Sequence, residues 1–158
     1  MARFFRRGRT KVWFAPTIAS AALIPTAAEV NAGTNLTPSI ADIAGFAFTN
    51  SPIATPDLAS TFTATIPGED TAEDSTLTFY EDTTTNTLQT TLAKGVSGYI
   101  VIFFAGIAGA SPAAGDKAEV WPVQSTGPRR EYSMGNDPAR WAVGLTPSAP
   151  PNFSATLT

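Results

Sequence analysis

The chain has 158 residues, 43% of them hydrophobic and only 15% charged, which fits one domain able to bury a core. It contains neither cysteine nor histidine, which excludes disulfide frameworks, thiolate and imidazole metal sites, and any Ser-His-Asp triad. The net charge of −3 is unevenly spread: residues 1–11 hold Arg3, Arg6, Arg7, Arg9 and Lys11 and no acid, leaving −8 on the remainder. A nucleic-acid reader usually carries its basic groups as a patch on the folded domain, so an acidic body with a basic arm points elsewhere.

Twenty-three threonines, 13 prolines and 12 glycines favour strands, turns and extended arms over helices. The start imitates a secretory leader, with basic residues before the apolar stretch Val12 to Ile24 and a twin-arginine pair at Arg6-Arg7. Pro16 and Thr17 interrupt that stretch, so the simpler reading is a strand from Lys11 to Ala15 closed by Pro16. Thr26 with Glu29 three residues on predicts a capped helix of about two turns, with Gly33 as a left-handed terminator. Asn50 to Ala59, holding Pro52 and Pro56, reads as a long loop.

Ser60 to Ile66 alternates, with Phe62, Ala64 and Ile66 opposite Thr61, Thr63 and Thr65, and Pro67-Gly68 ends it. Glu69 to Asp74 reads as an acidic loop, and Thr76 to Tyr80 alternates again, so the two segments are expected to pair as a hairpin. Asp82 to Ala93 predicts a helix capped at Asp82 or Thr83, with Leu88 and Leu92 on one face. Gly98 to Phe104 is a continuous apolar run, a strand buried on both faces. Lys117 to Ser125 predicts a strand placed at an edge or bulge by Pro122. Ala139 to Leu145 puts Trp141, Val143 and Leu145 opposite Arg140, Ala142 and Gly144. The tail, with Pro147, Pro150 and Pro151, reads as an extended arm. The expected fold is mainly β: a β-sandwich or partly open barrel with a flanking helix, a first arm and strand over 1–15, a body over 16–146 and a second arm over 147–158.

No reaction emerges from the residues. The carboxylate neighbours Glu69/Asp70, Glu73/Asp74 and Glu81/Asp82 point to opposite faces of a strand, and so do not converge on a substrate. Asp70, Glu73 and Asp74 lack the spacing of a calcium loop, and Gly106-Ile107-Ala108-Gly109 matches no phosphate-binding loop. The expectation is therefore no enzyme, no cofactor and no metal. Apolar arms and long loops with little inside to cover them suggest assembly with further copies. Phe4, Phe5, Arg6, Arg7, Arg9, Trp13, Pro52, Pro56 and Phe153 are the candidates for contact between subunits.

Ordered segments along nearly the whole chain carry a resemblance. They run from Phe5-Arg6-Arg7-Gly8-Arg9-Thr10-Lys11-Val12-Trp13-Phe14 through Pro25 to Thr34 and Ile40-Ala41-Asp42-Ile43-Ala44-Gly45-Phe46. Ile66-Pro67-Gly68, Asp74-Ser75, Leu77-Thr78-Phe79-Tyr80-Glu81-Asp82, Gly98-Tyr99-Ile100-Val101 and Gly115 to Val123 follow. In these the sequence resembles the tail tube (major tail) proteins of long, non-contractile-tailed phages, siphoviruses, especially those of actinobacterial hosts. Asn35 departs from the Asp expected in relatives, which touches only a local turn.

The resemblance implies a virion protein, assembled in the host cytoplasm, that forms six-membered rings stacked into a tube. Its implied partners are further copies of itself, the tape measure protein, the proteins at either end of the tail, and double-stranded DNA in passage; no membrane is involved. Four strands per subunit would line an inner barrel of about 24 strands, whose bore of roughly 40 Å clears a DNA duplex. Few basic groups in the body suit a conduit along which DNA must slide, and Thr61, Thr63 and Thr65 are candidates to line it. The basic arm is expected to bind acidic surface on a neighbour. Two other readings start from the same residues: a phage decoration or host-surface binding module, which needs an exposed aromatic patch, and a carboxylate hydrolase, which needs two acids about 5–9.5 Å apart in a cleft.

Overall fold

The architecture is that of a computed structural model, in which residues 3–158 are described. It is mainly β. Ten strands, β1 (Lys11–Ala15), β2 (Thr34–Asn35), β3 (Ile40–Ala44), β4 (Phe48–Thr55), β5 (Ala64–Ala72), β6 (Ser75–Tyr80), β7 (Ser97–Phe103), β8 (Lys117–Glu131), β9 (Arg140–Pro147) and β10 (Asn152–Thr156), accompany two short helices, α1 (Ala27–Asn31) and α2 (Thr87–Thr91). One eight-stranded sheet runs in the order β2-β1-β7-β8-β9-β6-β3, with β10 also on β8, while β4 and β5 pair separately.

β8 organises the sheet. Its first half pairs with β7 on one side and β10 on the other, and its second half pairs with β9. The partner changes around Pro122, whose carbonyl accepts from the Ser148 N–H on the β9 side. The nitrogen of a strand residue points the same way as its carbonyl, so the missing N–H of Pro122 falls in the gap between β10 and β9. Pro122 thus sits inside a central strand, not at an edge. A bulge follows between Ser125 and Pro128, where Gly127 takes φ +103°, a conformation open to glycine at little cost. The Ser125 hydroxyl donates to the Leu92 carbonyl (2.7 Å) and accepts from the Gly127 N–H (3.1 Å). The bulge bends β8, and the sheet curls round one core.

That core takes one face of β1, β6, β7, β8 and β9: Val12 and Phe14, Leu77 and Phe79, Ile100 and Ile102, Trp121 and Val123, and Trp141, Val143 and Leu145. The outer face of β1, β7 and the start of β8 carries a second core of Trp13, Val101, Phe103, Ala118 and Val120. It is covered by Val30 of α1, Ile18, and Ala155 and Leu157 of the C-terminal segment. Three layers result.

The capping box forms as the sequence predicts. The Thr26 hydroxyl accepts from the Glu29 N–H, and the Glu29 carboxylate accepts from the Thr26 N–H. Gly33 does not adopt a left-handed conformation; a Cβ there would lie 2.1 Å from the Phe14 carbonyl oxygen, so close approach explains the glycine. The helix expected over 82–93 shrinks to Thr87–Thr91, because Asp82 binds Thr84 and Thr85 in a local turn instead of capping. The tail, expected as an arm, forms β10 and returns to its own body.

The middle of the chain departs furthest from expectation. Asn50 to Thr55 are not in a loop but in β4, the strand expected from Ser60 begins only at Ala64, and Glu69 to Ala72 are not in a loop but in β5. Pro67-Gly68 marks a bulge rather than an end, with β4–β5 pairing shifted between Ser51 and Ile53. β6 pairs with β3 and β9, not with the segment before Pro67.

Candidate assembly surfaces

Three features remain open once the cores are filled. The first is a sheet with two free edges. β3, β6, β9 and the second half of β8 lie side by side, each antiparallel to the next. β3 has only β6 beside it, and beyond Ser125 β8 has only β9. An even number of alternating strands leaves these outer edges running in opposite directions. A rotated copy therefore meets edge to edge in antiparallel sense, which suits ladder pairing. The face of this sheet turned from the core carries the half-buried Thr76 and Thr78, with half-buried Gly144 and Ala142, only 4% exposed, across from them on β9. These are small and uncharged, but Arg129 stands directly across from Ala142 and Asp42 across from Thr78, with Glu131 and Arg140 in the next row.

The second feature is the β4–β5 hairpin. Its pairing continues that of β3–β6 without a change of register, from Ala44↔Thr76 to Phe48↔Ala72. The ribbon is kinked where Gly45 and Phe46 both take positive φ, +83° and +54°. A Cβ at Gly45 would lie 2.7 Å from the Ser75 Cα, and the Phe46 N–H donates to the Ser75 hydroxyl. Beyond the kink the hairpin leaves the body and exposes Phe48, Ile53, Leu58, Phe62 and Ile66. Its root is held by an aromatic series: Phe48 on Phe153 (5.5 Å), Phe153 on Trp121 (5.6 Å), Trp121 on Phe46 (5.4 Å), all edge to face.

The third is the N-terminal arm. The Arg9 and Thr10 N–H groups donate to the Arg6 carbonyl, closing a turn, and the Thr10 hydroxyl donates to the Phe104 carbonyl. Phe4 and Phe5 are exposed, and the Arg9 guanidinium lies 5.5 Å from the Phe4 ring centroid.

Among the sequence candidates, Phe4, Phe5, Arg6, Arg7, Arg9, Pro52 and Pro56 are exposed and Phe153 is partly so. Trp13 is not available: it is 6% exposed, edge-on to Phe103 in the subunit's own second core. Thr61, Thr63 and Thr65 stand on the protruding hairpin and its connection, off the broad sheet. The free edges were missed by sequence reading, although the small face of β9 was visible in Arg140, Ala142 and Gly144. Among the described residues no group of three or more candidate metal ligands comes together. One ion pair is present among them, Arg130 Nε to Glu81 Oε1 at 2.6 Å, and this carboxylate holds the guanidinium above its ordinary range. No helix of the described residues is long and apolar enough to cross a membrane.

The phage tail tube protein family matches the sequence over residues 1–158. The chain belongs to that family. The tail tube protein is accordingly a structural component of the phage virion. No curated protein sequence matches it. Solved cryo-EM structures share its fold. The sheath/tube terminator of an extracellular contractile injection system, in the extended state, superposes with a TM-score of 0.64 at 12% identity, covering 94% of this chain and 95% of that one. A chain of the six-fold symmetrised anti-feeding prophage baseplate gives 0.64 at 10% identity, with the same coverage. A chain of the sheath-tube complex of an extracellular contractile injection system gives 0.57 at 15% identity, covering 89% and 85%. At such identities the likeness speaks to the fold of the tail tube protein alone, and these neighbours come from contractile systems.

Proposed function

We propose that this tail tube protein is the repeating subunit of the tube: six copies close a ring, and rings stack into a conduit for genomic DNA. The observation that carries the reading is the pair of free, oppositely directed edges on one four-stranded sheet, β3 at one side and the end of β8 at the other. Repeating that sheet six times gives about 24 strands and the roughly 40 Å bore anticipated from strand geometry. Closure removes the exposed edges that would otherwise template aggregation. The wall is then the face of Thr76, Thr78, Ala142 and Gly144. Its cationic groups, Arg129 and Arg140, share the face with the acids Asp42 and Glu131, which limits net attraction for phosphate. Thr61, Thr63 and Thr65 extend along the hairpin beyond this wall. The ordered resemblance to siphovirus tube proteins supports a long, non-contractile tail, with the tape measure protein inside during assembly and other tail proteins at the ends.

Negative-stain microscopy of the purified full-length chain, with mass measurement, tests the reading. Rings or hollow cylinders of uniform width are expected. Discrete solid particles under every condition that concentrates the protein would reject it.

A further inference from the structure

Resting on the ring reading, we infer that the acidic β4–β5 hairpin of one copy docks on the basic N-terminal arm of the adjacent copy. The charges are opposite and matched. Residues 1–11 carry five cationic groups and no acid, while residues 48–74 carry Asp57, Glu69, Asp70, Glu73 and Asp74 and no base. The rest of the chain holds five basic and eight acidic groups, so both extremes of charge density lie in these two segments. The arm from Arg3 to Arg9 is exposed, as are all five hairpin acids. Among the described residues no ion pair joins either segment to anything.

Apolar groups accompany the charges. Phe4 and Phe5 are 46% and 76% exposed on the arm, and Ile53, Phe62 and Ile66 are 53%, 76% and 51% exposed on the hairpin. A two-stranded hairpin with both faces in water is marginal by itself, so this one gains most from a covering surface. Opposite charge flanking apolar contact steers the encounter and sets its register.

Placement decides between partners. The arm ends at Lys11, which pairs with Phe103 beside the start of β8. The hairpin root sits, through Phe48 on Phe153, against β10, which pairs with that same start of β8. Both segments therefore spring from one end of the sandwich. Rotation about a ring axis preserves that level, and brings the hairpin of one subunit beside the arm of the next.

The absence of cysteine allows a direct test on the full-length chain. An Arg7→Cys variant and a Glu69→Cys variant are mixed and oxidised under conditions where the wild type assembles. A disulfide needs Cα atoms within roughly 7 Å. Cross-linked heterodimer is expected in at least about tenfold excess over a mixture of Arg7→Cys with Asp137→Cys, whose loop joins β8 to β9 at the other end of the sheet. In parallel, Arg6→Glu/Arg7→Glu/Arg9→Glu, or Glu69→Lys/Asp70→Lys/Glu73→Lys, should cut the assembled fraction by about tenfold, and the two sets combined should restore it to within about threefold. Hollow cylinders without the heterodimer, or without recovery in the combined variant, would overturn the contact and leave the tube reading standing. No cylinder and no heterodimer from any mixture would overturn both. Arm variants that assemble normally but gain or lose binding to DNA would assign the arm to the conduit's cargo instead, and reject the hairpin as its partner.

Discussion

The ring of Phe48 meets that of Phe153 edge-on at 5.5 Å, tying the root of the protruding hairpin to the C-terminal strand. Phe153 in turn lies against Trp121, which is 1% exposed in the main core. A segment exposed along nearly its whole length is thus tied at its root to the core, with Phe153 as the link between Phe48 and Trp121.

Replacing that side chain should loosen the hairpin without unfolding the body. Edge-to-face aromatic pairs contribute about 0.5–1.5 kcal/mol each, so Phe153→Ala is expected to cost about 2 kcal/mol in urea unfolding. Amide exchange should quicken for Thr49 to Ser51, while Val101 in the second core keeps its protection relative to global stability.

The kink that sends the hairpin outward depends on Gly45. At φ +83° an alanine is strained by about 1 kcal/mol, and its Cβ would meet the backbone of Asp74 and Ser75. Gly45→Ala should therefore destabilise by more than that amount, and a crystal or NMR structure should show the β3–β6 ribbon straightened or the Phe46–Ser75 hydrogen bond lost.

Helix α1 carries a pH-dependent element. The N–H groups of Thr26 and Ala19 hold the Glu29 carboxyl below its ordinary value. A lowered folded-state pKa gives stability that is complete above the unfolded-state value and is lost as pH falls through the folded one. Glu29→Gln should therefore be less stable than wild type near neutrality, with the gap closing as the solution is acidified through the carboxylate range. Thr26→Ala should cost about 1 kcal/mol by losing the cap. Thermal unfolding of all three chains across pH reads both effects.

The free edge of β3 can be blocked with little effect on the monomer. Ile43 is 39% exposed there, and a lysine on an edge strand disfavours further pairing. Ile43→Lys should unfold within a few degrees of wild type yet form no rings by microscopy or sedimentation.

How far the sequence reveals this molecule depends on what each segment faces. β1, β7 and β9 are legible because one or both faces enter a core, which imposes a continuous or alternating apolar pattern on Val12 to Phe14, Ile100 to Phe103 and Trp141 to Leu145. The β4–β5 hairpin is legible only in part: Ala64 to Ile66 alternate and do fall in β5, but with water on both sides nothing imposes an apolar pattern on the rest. Pro52 and Pro67-Gly68 then read as breaks, although one lies within an exposed strand and the others at a bulge. The aromatic residues of the arm and tail stood out as candidates for contact, but burial separated Phe4 and Phe5 from Trp13. The free edges of β3 and β8 left no trace in residue pattern, since an edge is defined by which strands are absent beside it.

The bend at Ser125–Pro128 divides mechanical duty within the subunit. Tension around a closed wall would enter at β3, cross three successive ladders through β6 and β9, and leave at the end of β8, without passing through α1, β10 or the second core. Those outer parts bear none of that hoop load, so substitutions that soften them should alter how a subunit folds far more than how the cylinder resists bursting.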